Sequence, residues 1–296
     1  MKNKIVIATI LIIGFIVGGF ILLSSDENAE APTNEPPNTK LTLSDVHGLA
    51  VDIENPEKLY IANHQGLYVQ DDDGLSNTGP ANDDFMSFAT SPTIANLFYA
   101  SGHPKSGGNI GIVKTSDGGK TWAKISDGLD GPVDFHSMTI DQKNTKLIYG
   151  IYRGRIQKSI DGGESWTYIQ KHPSDIIQLS SANQENGIYT ATKSGLYRSL
   201  DQGNSWELVS AEGSAVVAVA SNPQSPNELI MFDIVGGFQK SSDGGESWTK
   251  LSGPFGSDIV LQIAYSRSEP TVVYMITDKL DIYKSTDGGT SWALRQ

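Results

Sequence analysis

The chain has no cysteine among its 296 residues. That excludes disulfides, thiolate metal sites, cysteine nucleophiles and a lipid-modified N-terminal cysteine. It has no phosphate-binding loop and no dinucleotide fingerprint, and its Gly-Gly pairs read as turn glycines. Basic side chains are in short supply: 22 Lys and Arg stand against 34 Asp and Glu, for a net charge of −12. Such a surface repels nucleic acid and anionic lipid, so a nucleic-acid partner is not expected.

What is present begins with an apolar run. Ile5–Leu23 carries no charge and follows Lys2 and Lys4. Its length would cross a bilayer core as a helix, whereas a cleavable signal has a shorter apolar core. Residues 1–23 are therefore expected to be a single transmembrane helix with its lysines in the cytoplasm. The alternative is a signal segment cleaved near Ala29-Glu30-Ala31, giving a secreted protein. Residues 24–40 are acidic, polar and proline-containing, which suits a flexible tether. Residues 41–296 are expected to lie outside the cytoplasm.

The rest of the chain repeats. TSDGGKTW, SIDGGESW, SLDQGNSW, SSDGGESW and STDGGTSW begin at residues 115, 159, 199, 241 and 285. A worn copy, QDDDGLSN, begins at residue 70 and keeps Asp72 and Gly74 but has Asn77 in place of tryptophan. Between copies run short alternating segments, such as HGLAVD, KLYIAN and GLYVQ in the first unit. Each unit of 40–45 residues thus reads as four strands with turns between them. A lone four-stranded sheet cannot bury both faces, whereas a ring of such sheets can. The expected fold is all-β, a six-bladed β-propeller. A right-handed β-solenoid is the rival, but its coils lack the four-strand rhythm.

The repeated box is the expected turn between third and fourth strands. Its aspartate can accept hydrogen bonds from nearby amides, and its tryptophan offers an apolar plate between blades. Asp117, Asp161, Asp201, Asp243 and Asp287, with Trp122, Trp166, Trp206, Trp248 and Trp292, are read as structural. The rival reading makes the aspartates calcium ligands or catalytic acids. A carboxylate in every blade argues for folding, because a reaction needs only one or two.

The box pattern resembles the Asp box, or bacterial neuraminidase repeat, and the resemblance covers about residues 41–296. It implies a β-propeller of the kind found in sialidases, some glucan-cleaving glycosidases, sortilin-type receptors and photosystem II assembly factors. The segments HGLAVD, DFMSFA, SGHP and DFHSM resemble bacterial membrane-anchored proteins described as glycosylhydrolase-like. A sialidase needs three arginines to grip a carboxylate. The five arginines here, Arg153, Arg155, Arg198, Arg267 and Arg295, do not fit that pattern, and the Phe/Tyr-Arg-Ile-Pro motif is absent.

Aligning units on their strand-two tyrosine places chemistry at the rim opposite the boxes. His64, His103 and Arg153 follow it by four residues. His47, Met86, His136, Ile176, Val217 and Leu261 precede it at the start of strand one, with Asp45, Asp84 and Asp134 two residues earlier in the first three units. Four of the five histidines therefore gather on three adjacent blades. Three readings stand for these residues. They are structural bonds to loops, ligand or metal binding, or acid–base catalysis with Asp45, Asp84 or Asp134. No cofactor is established by the pattern; a divalent or copper ion is the candidate, with Met86 pointing toward copper. The expected function is a membrane-anchored binding or scaffolding module. A membrane or surface protein, or a glycan, is its expected partner. The alternatives are a glycoside hydrolase, and a metal-binding module using His47, His64, His103 and His136.

Overall fold

Short runs of apolar and β-branched residues separated by turn residues become antiparallel strands, and twenty-four of them lie among the described residues. The computed structural model describes residues 45–79, 83–210, 212–254 and 256–295. The expected transmembrane or signal segment (1–23) and tether (24–40) lie outside them. Among the described residues no helix is long and apolar enough to cross a membrane.

Blade one contains β1 (Val46–Val51), β2 (Leu59–Asn63), β3 (Gly66–Asp71) and β4 (Gly74–Asn77). Blade two contains β5 (Asp83–Thr90), β6 (Phe98–Pro104), β7 (Ile112–Thr115) and β8 (Ala123–Ser126). Blade three contains β9 (Ser137–Ile140), β10 (Ile148–Tyr152), β11 (Arg155–Ser159) and β12 (Thr167–Tyr168). Blade four contains β13 (Ile176–Ser181), β14 (Ile188–Thr192), β15 (Gly195–Ser199) and β16 (Glu207–Leu208). Blade five contains β17 (Val216–Ser221), β18 (Leu229–Asp233), β19 (Gly237–Ser241) and β20 (Thr249–Lys250). Blade six contains β21 (Val260–Tyr265), β22 (Val273–Thr277), β23 (Ile282–Ser285) and β24 (Ala293–Leu294). Every sheet is a simple meander of four strands in chain order. Each first strand touches the first strand of the next blade, and β21 touches β1, so the ring closes. The fold is the expected six-bladed β-propeller.

The core is six inter-blade layers rather than one centre. Between blades five and six, for example, Ile230, Phe238, Val260 and Met275 are buried together with Trp292 against them. Trp122, Trp166, Trp206 and Trp248 pack in the same way against four other layers. The tryptophan plate expected from the repeat is present at five junctions.

The box explains why the plate sits there. The Ser241 hydroxyl donates to Asp243 Oδ1 (2.8 Å) and accepts from the Gly245 amide (2.8 Å). Asp243 in turn accepts from the Ser247 amide (2.9 Å) and hydroxyl. The Trp248 indole donates to the Gly245 carbonyl (3.0 Å) and to Val209 O of blade four (2.7 Å). Gly245 has φ +99°, and an added Cβ would meet Val209 of the neighbouring blade at 3.0 Å. Asp117, Asp161, Asp201 and Asp287 make the same serine or threonine bonds. The residue before three of the boxes extends the joint: Lys158 donates to Gln202 O, Arg198 to Gly244 O and Lys240 to Gly288 O of the next blade.

Blade one departs from this pattern. Residues 72–73 form a two-residue hairpin, with Asp71 paired to Gly74. The braced amide is that of Asp73, held by Asp71 Oδ1 at 3.0 Å, so Asp71 and not Asp72 takes the turn-bracing role. The seam between blades six and one therefore has no box and no tryptophan. Glu57, in the loop between β1 and β2, replaces them. Lys284 donates to its carboxylate, Arg295 to its carbonyl, and Tyr274 to Pro56 O (2.9 Å). Beneath them Leu59, Ile61, Tyr274 and Ile276 share a buried layer.

Two outcomes follow from the box. Gly245→Ala combines positive φ with a close backbone-fixed approach, and is expected to cost about 1–3 kcal/mol, read as a lowered melting temperature. The Asp243 carboxyl is held at about 2 by the Ser247 hydroxyl and amide and the Ser241 hydroxyl. Its contribution is complete above the ordinary carboxylate range and is lost as pH falls through about 2. Asp243→Asn should therefore melt below the parent at pH 7, and the gap should close between about pH 4 and pH 2.

Candidate functional site

The first strands line a central cavity of about 220 Å³. At one end lie the strand-one starts and the strand-two ends, opposite the boxes. In five blades the pairing of strand one with strand two slips by one residue near this end, between Val46 and Gly48, Phe85 and Ser87, Ile176 and Gln178, Val216 and Ala218, and Val260 and Gln262. The extra residues are His47, Met86, Ile177, Val217 and Leu261. The equivalent residue of blade four is thus Ile177, not Ile176 as the alignment expected. A bulge re-aims the side chain it carries and ends regular pairing. That turns His47 toward the cavity, whose wall it forms together with His136.

Two linked groups result. In the first, His47 Nε2 lies 3.1 Å from His64 Nε2, with the rings edge to face and their centroids 4.4 Å apart. His64 Nδ1 lies 2.7 Å from Asp84 Oδ2, and Asp45 Oδ2 is 3.8 Å from His64 Nε2. In the tautomer that donates Nδ1–H to Asp84, the ring's lone pair lies on Nε2 and faces His47. One donor-set atom from each of His47, His64 and Asp84 lies within 4.8 Å of the others.

In the second group Asp134 is central. It is buried, and its Oδ2 lies 2.9 Å from His103 Nε2 and 3.0 Å from His136 Nε2. His103 Nδ1 is 2.9 Å from Gly108 O, so both of its ring nitrogens face acceptors. Asp84 is paired with His103 across β5 and β6, which joins the two groups. Two carboxylate oxygens, Asp84 Oδ1 and Asp134 Oδ1, are buried with no hydrogen-bond partner.

Electrostatics separate the imidazoles. Burial, and then the nearby His64, hold His47 down at about 4, with a smaller contribution from His136. The Asp134 hydrogen bond raises His136, helped by the charges of Asp134 and Asp84. A rim at pH 7 thus offers a neutral imidazole at His47 beside carboxylates that favour positive charge.

The structure brings together His47, His64, Asp84 and Asp45, and His103, Asp134 and His136. Met86 occupies its bulge half-buried, between Phe85 and Ser87, and the cluster itself is built of imidazoles and carboxylates. Arg153 is exposed in a left-handed turn (φ +51°), with its guanidinium 4.9 Å from the Tyr152 ring centre. The fifth histidine, His172, turns Nδ1 to the Pro173 carbonyl (2.8 Å). Inside the cavity Gln178 donates to Gln262 (2.9 Å) and accepts from Val219 N, and Arg267 reaches Gln142. Sequence alignment did not single these out, since glutamine and a lone arginine at a strand end carry no repeat signal.

No protein-family model and no curated protein sequence matches the chain. Solved structures do. A GH74 xyloglucanase from Xanthomonas campestris is similar with TM-score 0.60 and 15% identity, over 84% of this chain and 54% of that one. The chain therefore spans about half the length of that enzyme. YCF48 bound to D1 peptide is similar with TM-score 0.56 and 17% identity, over 84% and 82% of the two chains. PorZ, described as an essential bacterial surface component of the type-IX secretion system of Porphyromonas gingivalis, gives 0.54 and 14%, over 86% and 33%. At these identities the likeness establishes the shared β-propeller fold alone. That fold carries glycoside hydrolases as well as the YCF48 and PorZ propellers, so catalysis is not a property of the fold.

The histidine order can be measured. His47 should titrate near pH 4 and His136 above the ordinary histidine value, by NMR of the imidazole resonances. For His47 the folded value is lowered, so its effect on stability is nil well above 6.5 and turns unfavourable as pH falls toward about 4. For His136 the folded value is raised, so it stabilises at low pH and that contribution is lost as pH rises through it. Asp134→Asn should lower the His136 midpoint and leave that of His47 nearly unchanged.

Proposed function

We propose that the protein is an extracytoplasmic binding module that takes a divalent transition-metal ion at the histidine–carboxylate rim. His47 Nε2 and His64 Nε2 are the nitrogen ligands, and Asp84 orients His64 through Nδ1. The observation that carries this reading is the 3.1 Å approach of two ring nitrogens, with the other nitrogen of His64 2.7 Å from Asp84. Two imidazoles on a tetrahedral ion, each about 2.0–2.1 Å from it, stand about 3.3 Å apart. A carboxylate behind a ligating histidine is the usual way such a ligand is oriented. The orphaned buried oxygens of Asp84 and Asp134 add acceptor capacity that protein donors leave unused. His47, held neutral, needs no deprotonation at pH 7 to act as a ligand.

The apolar run over residues 1–23 would hold the module at the membrane, or direct its export if cleaved. A surface protein, membrane protein or glycan then meets the metal-bearing rim. YCF48, which shares the fold, is described as bound to a peptide, and this supports a polypeptide as the partner. A glycoside hydrolase using Asp84 and Asp134 is the second reading, favoured by their orphaned oxygens. It is weakened by the bonds that already tie both carboxylates to imidazoles.

Calorimetric titration of the full-length protein with zinc and copper(II) tests the metal. The parent should bind an ion, Asp84→Asn should weaken binding by roughly 10–100-fold, and His47→Ala with His64→Ala should abolish it. Equal binding by the double variant would refute the assignment. Sugar release from a glycan panel, lost in Asp134→Asn and unaffected by chelator, would establish the second reading instead.

A further inference from the structure

The opposite mouth of the cavity carries a different chemistry. Arg267 lies two residues beyond the end of β21 at the box end, roughly 20 Å from the histidine rim at about 3.3 Å per strand residue. Its side chain crosses to blade three, where Nη2 donates to Gln142 Oε1 at 3.1 Å. Gln142 is itself fixed by Ser181, donating through Nε2 to Ser181 O (3.1 Å) and through its amide to Ser181 Oγ (3.0 Å). The Arg267 carbonyl accepts from Gln224 Nε2 (3.2 Å). The loop bearing the arginine is thus held in place, while the guanidinium makes one neutral side-chain bond.

Among the described residues no carboxylate lies within ion-pair distance of Arg267. The cavity wall as a whole includes no aspartate and no glutamate, in a chain with an excess of 12 negative charges. Burial lowers the arginine to about 10, and no acid opposes that shift. A guanidinium withdrawn from water without a counter-charge is costly to keep. A second group points the same way. Ser221, on the same wall, is 6% exposed, and its hydroxyl is buried with no hydrogen-bond partner.

We propose that the box-end mouth binds a small carboxylate, with the Arg267 guanidinium as its cation and the Ser221 hydroxyl as a further donor. The planar fork of arginine matches a carboxylate through two parallel bonds, which a lysine cannot reproduce. The wall around the guanidinium carries no carboxylate to repel an incoming anion. The site is independent of the metal reading, because it lies at the other end of the cavity and shares no residue with the histidine cluster.

Calorimetric titration of the full-length protein with acetate and with malonate, at constant ionic strength set by sodium chloride, tests this. The parent should bind, Arg267→Gln should lose ~10-fold or more in affinity, Arg267→Lys should recover part of it, and Ser221→Ala should weaken binding several-fold. Melting of Arg267→Met provides the folding control. The proposal expects an unchanged or raised melting temperature, because a half-buried charge with no counter-ion has been removed. No binding to the parent at tens of millimolar carboxylate overturns the proposal, as does equal binding by Arg267→Gln. Preferential binding of inorganic phosphate over both carboxylates overturns the assignment of ligand class. A sharp fall in the Arg267→Met melting temperature, with no carboxylate effect on the parent, would make Arg267 a structural cross-brace.

Discussion

The joint between one blade's repeated box turn and the flank of the blade before it is the constraint from which the rest of the molecule follows. A four-stranded meander has two apolar faces and can satisfy neither alone. The box locks a tight turn with a carboxylate and a hydroxyl, and the locked turn offers a glycine surface and an indole to the neighbour. Val209 beneath Gly245, and Val209 O on the Trp248 indole, are one instance of that contact. Because the bonds within the turn are exposed charge-assisted ones, the turn is stiff, and the packing it directs is apolar and close. Where the box is missing, at the seam to blade one, ionic and hydrogen bonds converge on Glu57 to do the same job.

With the ring so fixed, the two ends of the cavity are free to diverge. One end carries the boxes, whose turns are braced against the neighbouring blade. The other carries loops and bulges, where an inserted side chain need not complete a ladder. Four imidazoles and three carboxylates accumulate there on adjacent blades. The carboxylates hold His64 and His136 in orientation, while burial keeps His47 neutral. This division of labour is common among scaffolds whose function sits on loops held by a rigid frame.

The ring is also what the structural neighbours have in common. A GH74 xyloglucanase, YCF48 and PorZ share the ring at 14–17% identity. In this chain the cavity is imidazole-rich at one mouth and carries a single guanidinium at the other. The five arginines illustrate the point: Arg198 and Arg295 serve inter-blade joints, Arg153 and Arg155 lie over the Tyr152 and Tyr168 rings, and Arg267 alone enters the cavity among them.

The blade count, the turn carrying each box, and the rim on which the histidines sit were all legible from the chain. They depend on local periodicity, and a two-residue strand period with turn residues at fixed intervals is a local property. The tryptophans at the junctions were legible for the same reason. Other features required the folded ring. The bulges that turn His47 inward, and that shift the blade-four equivalent to Ile177, arise from how two strands twist against each other. The role of Asp71 rather than Asp72 depends on a hairpin register. Arg267 meets Gln142 from the far side of the ring, 125 positions away, and no spacing rule links them. The sequence alone determined which elements repeat; which side chains from different repeats share a cavity was decided only by closing the ring, because proximity across it has no counterpart in distance along the chain.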